Sequence, residues 1–288
     1  FGVEVLNWTV PCTSLDIYNI RLTGGAGTKL HKYGIKVGDE STSVNDNSIT
    51  GVRVRNNHIE GVNHCYMAGF ITSANFYANY GKHDTKGNLS KGCTTNLVTG
   101  GLLEEAGNGT TYSLYGKSDT GSMLGNNTII NKAGSTTGAI MMAGFTAGSG
   151  VDDSVGTVFP NNIVRVDVDG ILFTKTEALS TATFPYNCFY SSVVQSANEF
   201  NYQGTTYNGV AAFNALPEAT GNIDDDPLFT DYDGGDYTLT AASPCVGVGK
   251  KWWSKDYPLG NDGNPFPDFG IDLGFVQGKY NSQHPANL

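Results

Sequence analysis

The stretch Val54-Arg55-Asn56-Asn57-His58-Ile59 decides the fold: an apolar residue, two further residues, Asn, one residue and a second apolar residue. The same pattern returns at intervals of 25 to 39 residues, in segments 93–98, 124–129, 159–164 and 184–189, and more loosely in 15–22. An Asn side chain both donates and accepts hydrogen bonds, so Asn residues at the same bend of successive coils can bond to one another. Such a repeat predicts a solenoid in which each coil rests on the next.

Short apolar runs between the Asn motifs predict the strands of these coils. A second series, at 34–37, 64–67, 138–141 and 170–173, follows the Asn motifs, so each coil contains at least two short strands. Val52 and Val54 alternate with Arg53 and Arg55, which is the pattern of a half-buried strand. The only helical pattern lies at 209–218. The chain is therefore expected to be all-β, with coils in residues 1–205 and the last coils and a capping segment in 206–288.

The Asn pattern resembles that of the right-handed parallel β-helix superfamily, the pectate-lyase-like fold, over residues 3–200. The order of motifs 222–229, 235–239, 243–247, 262–264 and 268–277 is similar to the closing segment of many secreted bacterial β-helix proteins. The resemblance implies an all-β, right-handed, single-stranded parallel β-helix with irregular loops and a C-terminal cap. In that cap, Leu228, Phe229 and Leu239 are expected to cover the last open rung.

Composition and charge limit the possible partners. The 288 residues include 15% charged residues and carry a net charge of −10, which argues against non-specific binding of nucleic acid. No run of 18 apolar residues occurs, so no membrane span is expected. Residues 1–100 hold nine Lys and Arg against seven Asp and Glu, so an anionic ligand would bind in this part. The acidic remainder is also consistent with a solubilising surface.

The cysteines do not form a recognisable motif. Five of them, Cys12, Cys65, Cys93, Cys188 and Cys245, are too few and too dispersed for a disulfide-built scaffold, and no C-x-x-C pair occurs. The odd number leaves at least one thiol free or bonded to another chain. Most of them are expected to be small buried hydrophobic residues.

The basic first part supplies the candidate catalytic residues. A β-elimination lyase needs a cation near the uronate carboxylate, which acidifies the neighbouring C–H, and a base that removes this proton. In the β-helix lyases that the chain resembles, Arg and Lys, sometimes with calcium, fill these roles. The candidates are Lys36, Arg53, Arg55 and His58 for catalysis, with Asp39, Glu40 and Glu60 as calcium ligands. Outward polar residues of an ordinary sheet alternate in the same way, so the pattern also fits a surface without a site.

Aromatic residues in polar segments supply the candidate sugar-binding surface, because the face of a Tyr ring stacks on a sugar ring. The candidates are Tyr77, Tyr80, Lys82, His83 and Tyr115. Each ring could equally have a structural role and pack its own loop against the solenoid. Glycoside hydrolysis, the second enzyme class considered, needs two carboxylates about 5–10 Å apart. Asp167 and Asp169, with 152–153 nearby in sequence, are the candidates for it.

Two functions follow from these patterns. The first is a secreted or cell-surface protein that processes or binds an extracellular polysaccharide, either acidic or neutral, by a lyase reaction if it is an enzyme. Calcium is the only cofactor that the sequence suggests. The second function is structural or adhesive, as in a virion tailspike, an adhesin or a subunit of an extracellular filament. The strand-like start at Phe1 favours this second function, because an open first rung would pair with an upstream domain or with another copy of the chain.

Overall fold

The fold is described by a computed structural model over residues 2–5, 13–23, 32–38, 49–105, 112–117, 119–132, 138–143, 155–169, 172–176, 180–194 and 199–249. Within these ranges the chain is all-β, which confirms the predicted class. The first strands are β1 Val3–Val5, β2 Leu15–Tyr18, β3 Arg21–Thr23, β4 Tyr33–Gly38, β5 Thr50–Arg55, β6 His58–Gly69, β7 Thr72–Tyr77, β8 Tyr80–Lys91, β9 Leu97–Thr99, β10 Leu102–Glu105 and β11 Tyr112–Lys117. They are followed by β12 Met123–Gly125, β13 Thr128–Asn131, β14 Gly138–Ala143, β15 Ile163–Val166, β16 Leu172–Thr176, β17 Cys188–Ser191, β18 Phe200–Tyr202, β19 Thr205–Tyr207, α1 Val210–Phe213, a 3-10 turn Pro217–Ala219, β20 Phe229–Asp231 and β21 Asp236–Leu239.

The strands form three parallel faces. The larger sheet has two halves, because β6 and β8 are long enough to run through both. Face A consists of β3, the first parts of β6 and β8, and β10, β13, β15 and β17. Face B consists of β1, β4, the second parts of β6 and β8, and β11, β14, β16 and β18. Face C is the second sheet, in the order β12-β9-β7-β5-β2.

A column of Asn side chains runs along the corner between faces C and A. Within each pair the Nδ2 group of one Asn donates to Oδ1 of the next at 3.1 Å. The members in contact are Asn57 with Asn79, and then Asn127, Asn162, Asn187 and Asn222 in succession. The preceding residue has positive φ, for example 56° at Asn126, a conformation that Asn adopts more readily than most residues. The predicted contact between Asn side chains is confirmed.

Asn96 does not belong to this column, although its sequence matches the motif. Its Oδ1 accepts from the N–H of Ala74 at 3.0 Å, and its own N–H donates to the hydroxyl of Ser122. These contacts lie before β9, at the opposite end of face C from the Asn column. The predicted coil that ran from Asn57 to Asn96 was therefore wrong.

Three positions of the column were missed, those of Asn79, Gly101 and Asn222; at Asn222 the second apolar position is taken by Asp224. At Asn79 the motif fails because Gly81 occupies the second apolar position, where a Cβ would lie only 3.0 Å from the Cβ of Cys65. At Gly101 the Asn itself is absent, although the N–H of Gly101 still donates to Asn127 Oδ1 at 3.0 Å. Successive positions of the column in this part are consequently 22 to 26 residues apart, closer than the motif spacing indicated.

The core lies between the three faces and consists mainly of apolar side chains. At its C-terminal end, the ring of Phe213 in α1 stacks on Phe200 with centroids 4.2 Å apart and also contacts Phe184 and Phe189. The helical pattern predicted at 209–218 is thus realised as α1 and the 3-10 turn. None of the helices in the described ranges is long and apolar enough to cross a membrane.

The antiparallel hairpin of β20 and β21 packs on the outside of face A. Phe229 and Tyr237 share a buried cluster with outward residues of face A, namely Leu102, Ile130, Ile163 and Cys188. Leu228 is 41% exposed. The prediction that Leu228, Phe229 and Leu239 cover the last rung was therefore wrong, because α1 packs on the end of the core and the hairpin covers the apolar outer surface instead. The motifs 262–264 and 268–277 lie outside the described residues.

Candidate functional site

Polar side chains meet on the outside of face A, over its first strands. The first and third residues after each position of the Asn column point outward, and the second points into the core, as Ile59 does. The outward positions are in register, so neighbouring side chains lie one strand spacing of about 4.8 Å apart. We call six of these residues the face A cluster: Arg21, His58, Glu60, Tyr80, Lys82 and Glu104.

Contacts link the members of the face A cluster into one group. The imidazole Nε2 of His58 lies 2.5 Å from Glu60 Oε1, and the His58 ring lies 4.4 Å from the ring of Tyr80. The Tyr80 hydroxyl donates to Glu104 Oε2 at 2.8 Å. Lys82 Nζ is 3.7 Å from the same oxygen, and its side chain is 45% exposed. The cluster therefore joins a base, a phenol, two carboxylates and two cations on one surface.

Burial changes the proton affinity of two members of this cluster. It lowers the pKa of His58, and the Glu60 carboxylate offsets this effect only in part. Burial raises the pKa of Tyr80, and the nearby Glu104 carboxylate acts in the same direction. His58 is therefore a neutral imidazole at neutral pH, able to accept a proton, and Tyr80 remains a phenol that can donate one.

The hairpin forms one wall of the cluster. Tyr237 hydrogen bonds to Glu104, and burial together with this carboxylate raises the pKa of its hydroxyl. From β10 onward, the outward apolar residues of face A are covered by Phe229 and Tyr237, and Leu102 of β10 is the first of them. Among the described strands, the open part of face A therefore consists of β3, β6 and β8, with β10 at its edge.

Three of the predicted site residues lie on face C, on the other side of the Asn corner from His58. They are Arg53, Arg55 and Tyr77. Arg55 donates from Nη2 to Asp16 Oδ2 at 2.9 Å and from Nε to Oδ1 at 3.1 Å, and its guanidinium lies 4.5 Å from the ring of Tyr18. The hydrogen bond with Asp16 raises the pKa of Arg55. This arginine is thus part of a surface ion pair, and Arg53 and Arg55 do not share a surface with His58.

Lys36 and Tyr115 lie on face B. The Lys36 ammonium pairs with Glu4 Oε1 at 2.8 Å, and only 9% of its side chain is exposed. Tyr115 lies in register with Leu89, and Lys86 Nζ sits 4.9 Å from the centre of its ring. The predicted catalytic set of Lys36, Arg53, Arg55 and His58 is therefore spread over three faces.

His83 cannot contact a surface ligand, because it is completely buried. Its Nε2 lies 3.0 Å from the hydroxyl of Ser113, and burial lowers its pKa to about 3. The predicted role of His83 in substrate binding was wrong for this reason. His83 lies where the register between β8 and β6 shifts, and it points inward directly after the outward Lys82.

The predicted calcium ligands are only partly described. Asp39 and Glu40 lie outside the described residues, and Glu60 binds His58 and is next to the cation Lys82 in register. The described ranges contain no group of three His, Cys, Asp or Glu side chains that could hold a metal ion. Glu60 thus fits a partner of His58 better than a calcium ligand, and no step of the chemistry below uses a metal.

Asp167, one of the two predicted hydrolase carboxylates, contacts the hairpin. Asp167 accepts from Arg165 Nε at 3.1 Å and from the hydroxyl of Tyr232 in the turn between β20 and β21. The guanidinium of Arg165 lies 3.5 Å from the centre of the Tyr232 ring. These contacts hold the hairpin on face A, and residues 152–153 lie outside the described residues.

Three members of the site were missed from the sequence: Arg21, Glu104 and Tyr237. Glu104 carries a signal, because it stands three positions after Gly101 just as Lys82 follows Asn79 and Glu60 follows Asn57. Recognising Gly101 as a position of the Asn column would have aligned all three. Tyr237 carries no such signal, because the hairpin reaches the cluster through tertiary packing alone.

Comparison of the chain with family models, with curated proteins and with solved structures found no match.

Proposed function

We propose that the parallel faces wind into a right-handed parallel β-helix, in which each coil contributes one strand to face C, one to face A and one to face B. The order β5, β6, β7, β8 supports this proposal, since β5 and β7 pair on face C while β6 and β8 pair on the other two faces. The Asn column supports it as well, because it joins equivalent bends of successive coils. In such an architecture the outside of face A is a long lateral surface suited to a linear polymer.

The proposed function is the binding and β-elimination of an acidic polysaccharide outside the cell. The observation that carries it is the face A cluster, in which a neutral imidazole and a phenol lie 4.4 Å apart between two cations. A uronate sugar carries a carboxylate, which would pair with the cations Arg21 and Lys82. The cluster lies in the part of the sequence that is mildly basic, which also favours an anionic ligand.

In the proposed reaction, Lys82 and Arg21 neutralise the uronate carboxylate and thereby acidify the C–H at C5. His58, oriented by Glu60, removes that proton as a general base. The electron pair forms the C4–C5 double bond and expels the glycosidic oxygen at C4, which takes a proton from the Tyr80 hydroxyl. The products are one fragment with an unsaturated uronate at its non-reducing end and a second fragment with a new reducing end.

The hairpin limits how much of the polymer can bind. The open surface extends from β3 to β10, three strand spacings or roughly 14 Å. Because Tyr237 and Phe229 cover the outside of face A from Leu102 onward, the polymer would meet a wall at Glu104. The proposed site is therefore closed to the polymer on the β10 side.

The test is an assay on a panel of polyuronates and neutral glycans, in which unsaturated product is followed by ultraviolet absorbance and reducing ends are counted separately. Lys82→Ala and His58→Ala should each lower product formation by about 100-fold or more. Arg53→Ala is the matched control, because it removes a cation from face C, and it should leave the rate unchanged. Equal losses in Lys82→Ala and Arg53→Ala, or no turnover and no binding of any polyuronate by the unaltered chain, would refute the proposal.

The pH profile adds a specific check on His58. The base must be neutral, so activity should fall as pH drops through a pKa that lies below the ordinary histidine value of about 6.5. Glu60 raises this pKa, so Glu60→Gln should move the acid limb to lower pH. A limb that stays in place would show that His58 is not the base.

A structural or adhesive role is the second candidate, and one observation favours it. Strand β1 pairs with β4 along one edge, and no described strand pairs with its other edge. Such an edge can accept a strand from another chain. Sedimentation of the isolated protein tests this role, since a monomer at all concentrations would contradict assembly through β1.

A further inference from the structure

Two of the buried cysteines lie side by side. Cys188 is an outward residue of β17 on face A, and Cys245 follows the hairpin, 57 positions later in the sequence. Both are fully buried and belong to the cluster that holds Phe229 and Tyr237 against face A. The two thiols are within hydrogen-bonding contact, and Cys188 Sγ also lies 3.3 Å from the carbonyl oxygen of Asp225.

The other described cysteines are placed differently. Cys65 and Cys93 lie in the core between the faces, away from the cluster under the hairpin. Cys65 Sγ donates to the carbonyl of Ile59 at 3.6 Å, and Cys93 Sγ donates to that of Lys91 at 3.4 Å. Among the four described cysteines, Cys188 and Cys245 are therefore the pair whose thiols contact each other.

We propose that Cys188 and Cys245 form a disulfide that fastens the hairpin to the outside of face A. The oxidant is a small-molecule or protein disulfide of an oxidising compartment. One cysteine thiolate attacks the oxidant disulfide and forms a mixed disulfide, and the other thiolate then displaces the oxidant as a thiol. Each attack releases one sulfur of the oxidant as a thiolate, so the oxidant disulfide gains two electrons, and the two protons given up by the cysteines convert the released thiolates into thiols.

The timing of this step follows from burial. In the folded, reduced chain, the neighbouring Cys245 thiol and burial raise the pKa of Cys188, so little thiolate is present there. Oxidation is therefore expected during folding, before the hairpin docks, and not after it. A hairpin of two short strands is only marginally stable by itself. A covalent link at this point would therefore stabilise the packing of the hairpin on face A.

The first experiment refolds the full chain in a glutathione redox buffer, blocks free thiols with iodoacetamide after unfolding, and maps the peptides by mass spectrometry. A linked pair of peptides containing Cys188 and Cys245, lighter by about 2 Da than the two reduced peptides, is expected. Cys65 and Cys93 should carry the alkyl group. Alkylated Cys188 and Cys245 in a folded chain, or a link from either of them to Cys12, would overturn the proposal.

The second experiment compares melting temperatures with and without a reducing agent. Reduction should lower the melting temperature of the unaltered chain by about 5–10 °C, because the link closes a long loop. This difference should vanish in Cys245→Ser and in the double variant Cys188→Ala/Cys245→Ala, and it should persist in the matched control Cys65→Ser. A difference that persists in the double variant would place the stabilising disulfide elsewhere and refute the assignment.

Discussion

Removal of one Asn side chain from the column gives the sharpest test of the fold. Asn127 is completely buried, and its Oδ1 accepts from the N–H of Gly101 at 3.0 Å. Its Nδ2 donates at 3.1 Å to the carbonyls of Val98 and Gly125 and to Asn162 Oδ1. Asn127→Ala therefore leaves at least one N–H and one carbonyl without their partners. At about 1–3 kcal/mol for each of these two buried groups, the free energy of unfolding should fall by roughly 2–6 kcal/mol.

The assay is urea unfolding followed by far-ultraviolet circular dichroism at neutral pH, with the unfolding slope compared between the variants. Asn75→Ala is the matched control, because Asn75 lies half-buried on the outer side of β7 on face C. A surface substitution of this kind should change the free energy of unfolding by less than about 0.5 kcal/mol.

The reasoning would be refuted if Asn127→Ala lost no more stability than Asn75→Ala. That result would mean that the column contributes nothing beyond ordinary surface polar groups. A water molecule that entered the cavity beside Gly101, which Asn79, Asn88 and Asn127 also line, would move the loss toward the lower end of the range.

Two further predictions concern buried polar positions. Gly101→Asn should raise the free energy of unfolding by roughly 1 kcal/mol, because the new side chain would join Asn79 to Asn127 across the break in the column and fill the adjoining cavity; the same urea titration measures it. Asp119→Asn should flatten the dependence of stability on pH. Burial raises the pKa of Asp119 to about 7, and hydrogen bonds from the Ser90 hydroxyl and the Cys93 N–H offset this only in part. The stability that its protonated form contributes is complete below about pH 4 and is lost as pH rises to about 7, by up to ~4 kcal/mol. The stability of the Asn variant relative to the unaltered chain should rise over this interval.

Each of these two predictions has a contrary outcome. A decrease in stability in Gly101→Asn would show that the contact of 3.1 Å between a new Cβ and Asn127 Oδ1 cannot relax. For Asp119, a difference between the variant and the unaltered chain that stays constant from pH 4 to pH 8 would show that its carboxyl group titrates normally.

Much of the fold was predictable from local pattern. The Asn motif correctly identified four members of the column, Asn57, Asn127, Asn162 and Asn187. It could do so because the six residues of the motif contain both the bend and the Asn whose amide is buried there. The errors came where one residue of the motif changed its role. Asn96 stands at a different bend, and Gly81 and Gly101 break the motif at true rungs.

The candidate site was predictable only in part. His58, Glu60, Tyr80 and Lys82 were selected from the sequence and lie together in the face A cluster. Alternation correctly placed Arg53 and Arg55 outside, but it could not show that the Asn corner separates them from His58. His83 was misplaced because its polar segment was not recognised as a strand, whereas β8 runs through it and regular alternation after the outward Lys82 turns His83 inward.

The sequence by itself determined the all-β class, the Asn column and the division of each strand into inward and outward residues, because these depend on contacts between neighbours in register. Only the tertiary structure decided which outward residues remain open. Leu102 and Cys188 are outward on face A, like His58 and Tyr80, yet they are buried because the hairpin returns from residues 229–239 to cover them. Exposure depends on segments far apart in the chain, and no local pattern records where such a segment packs.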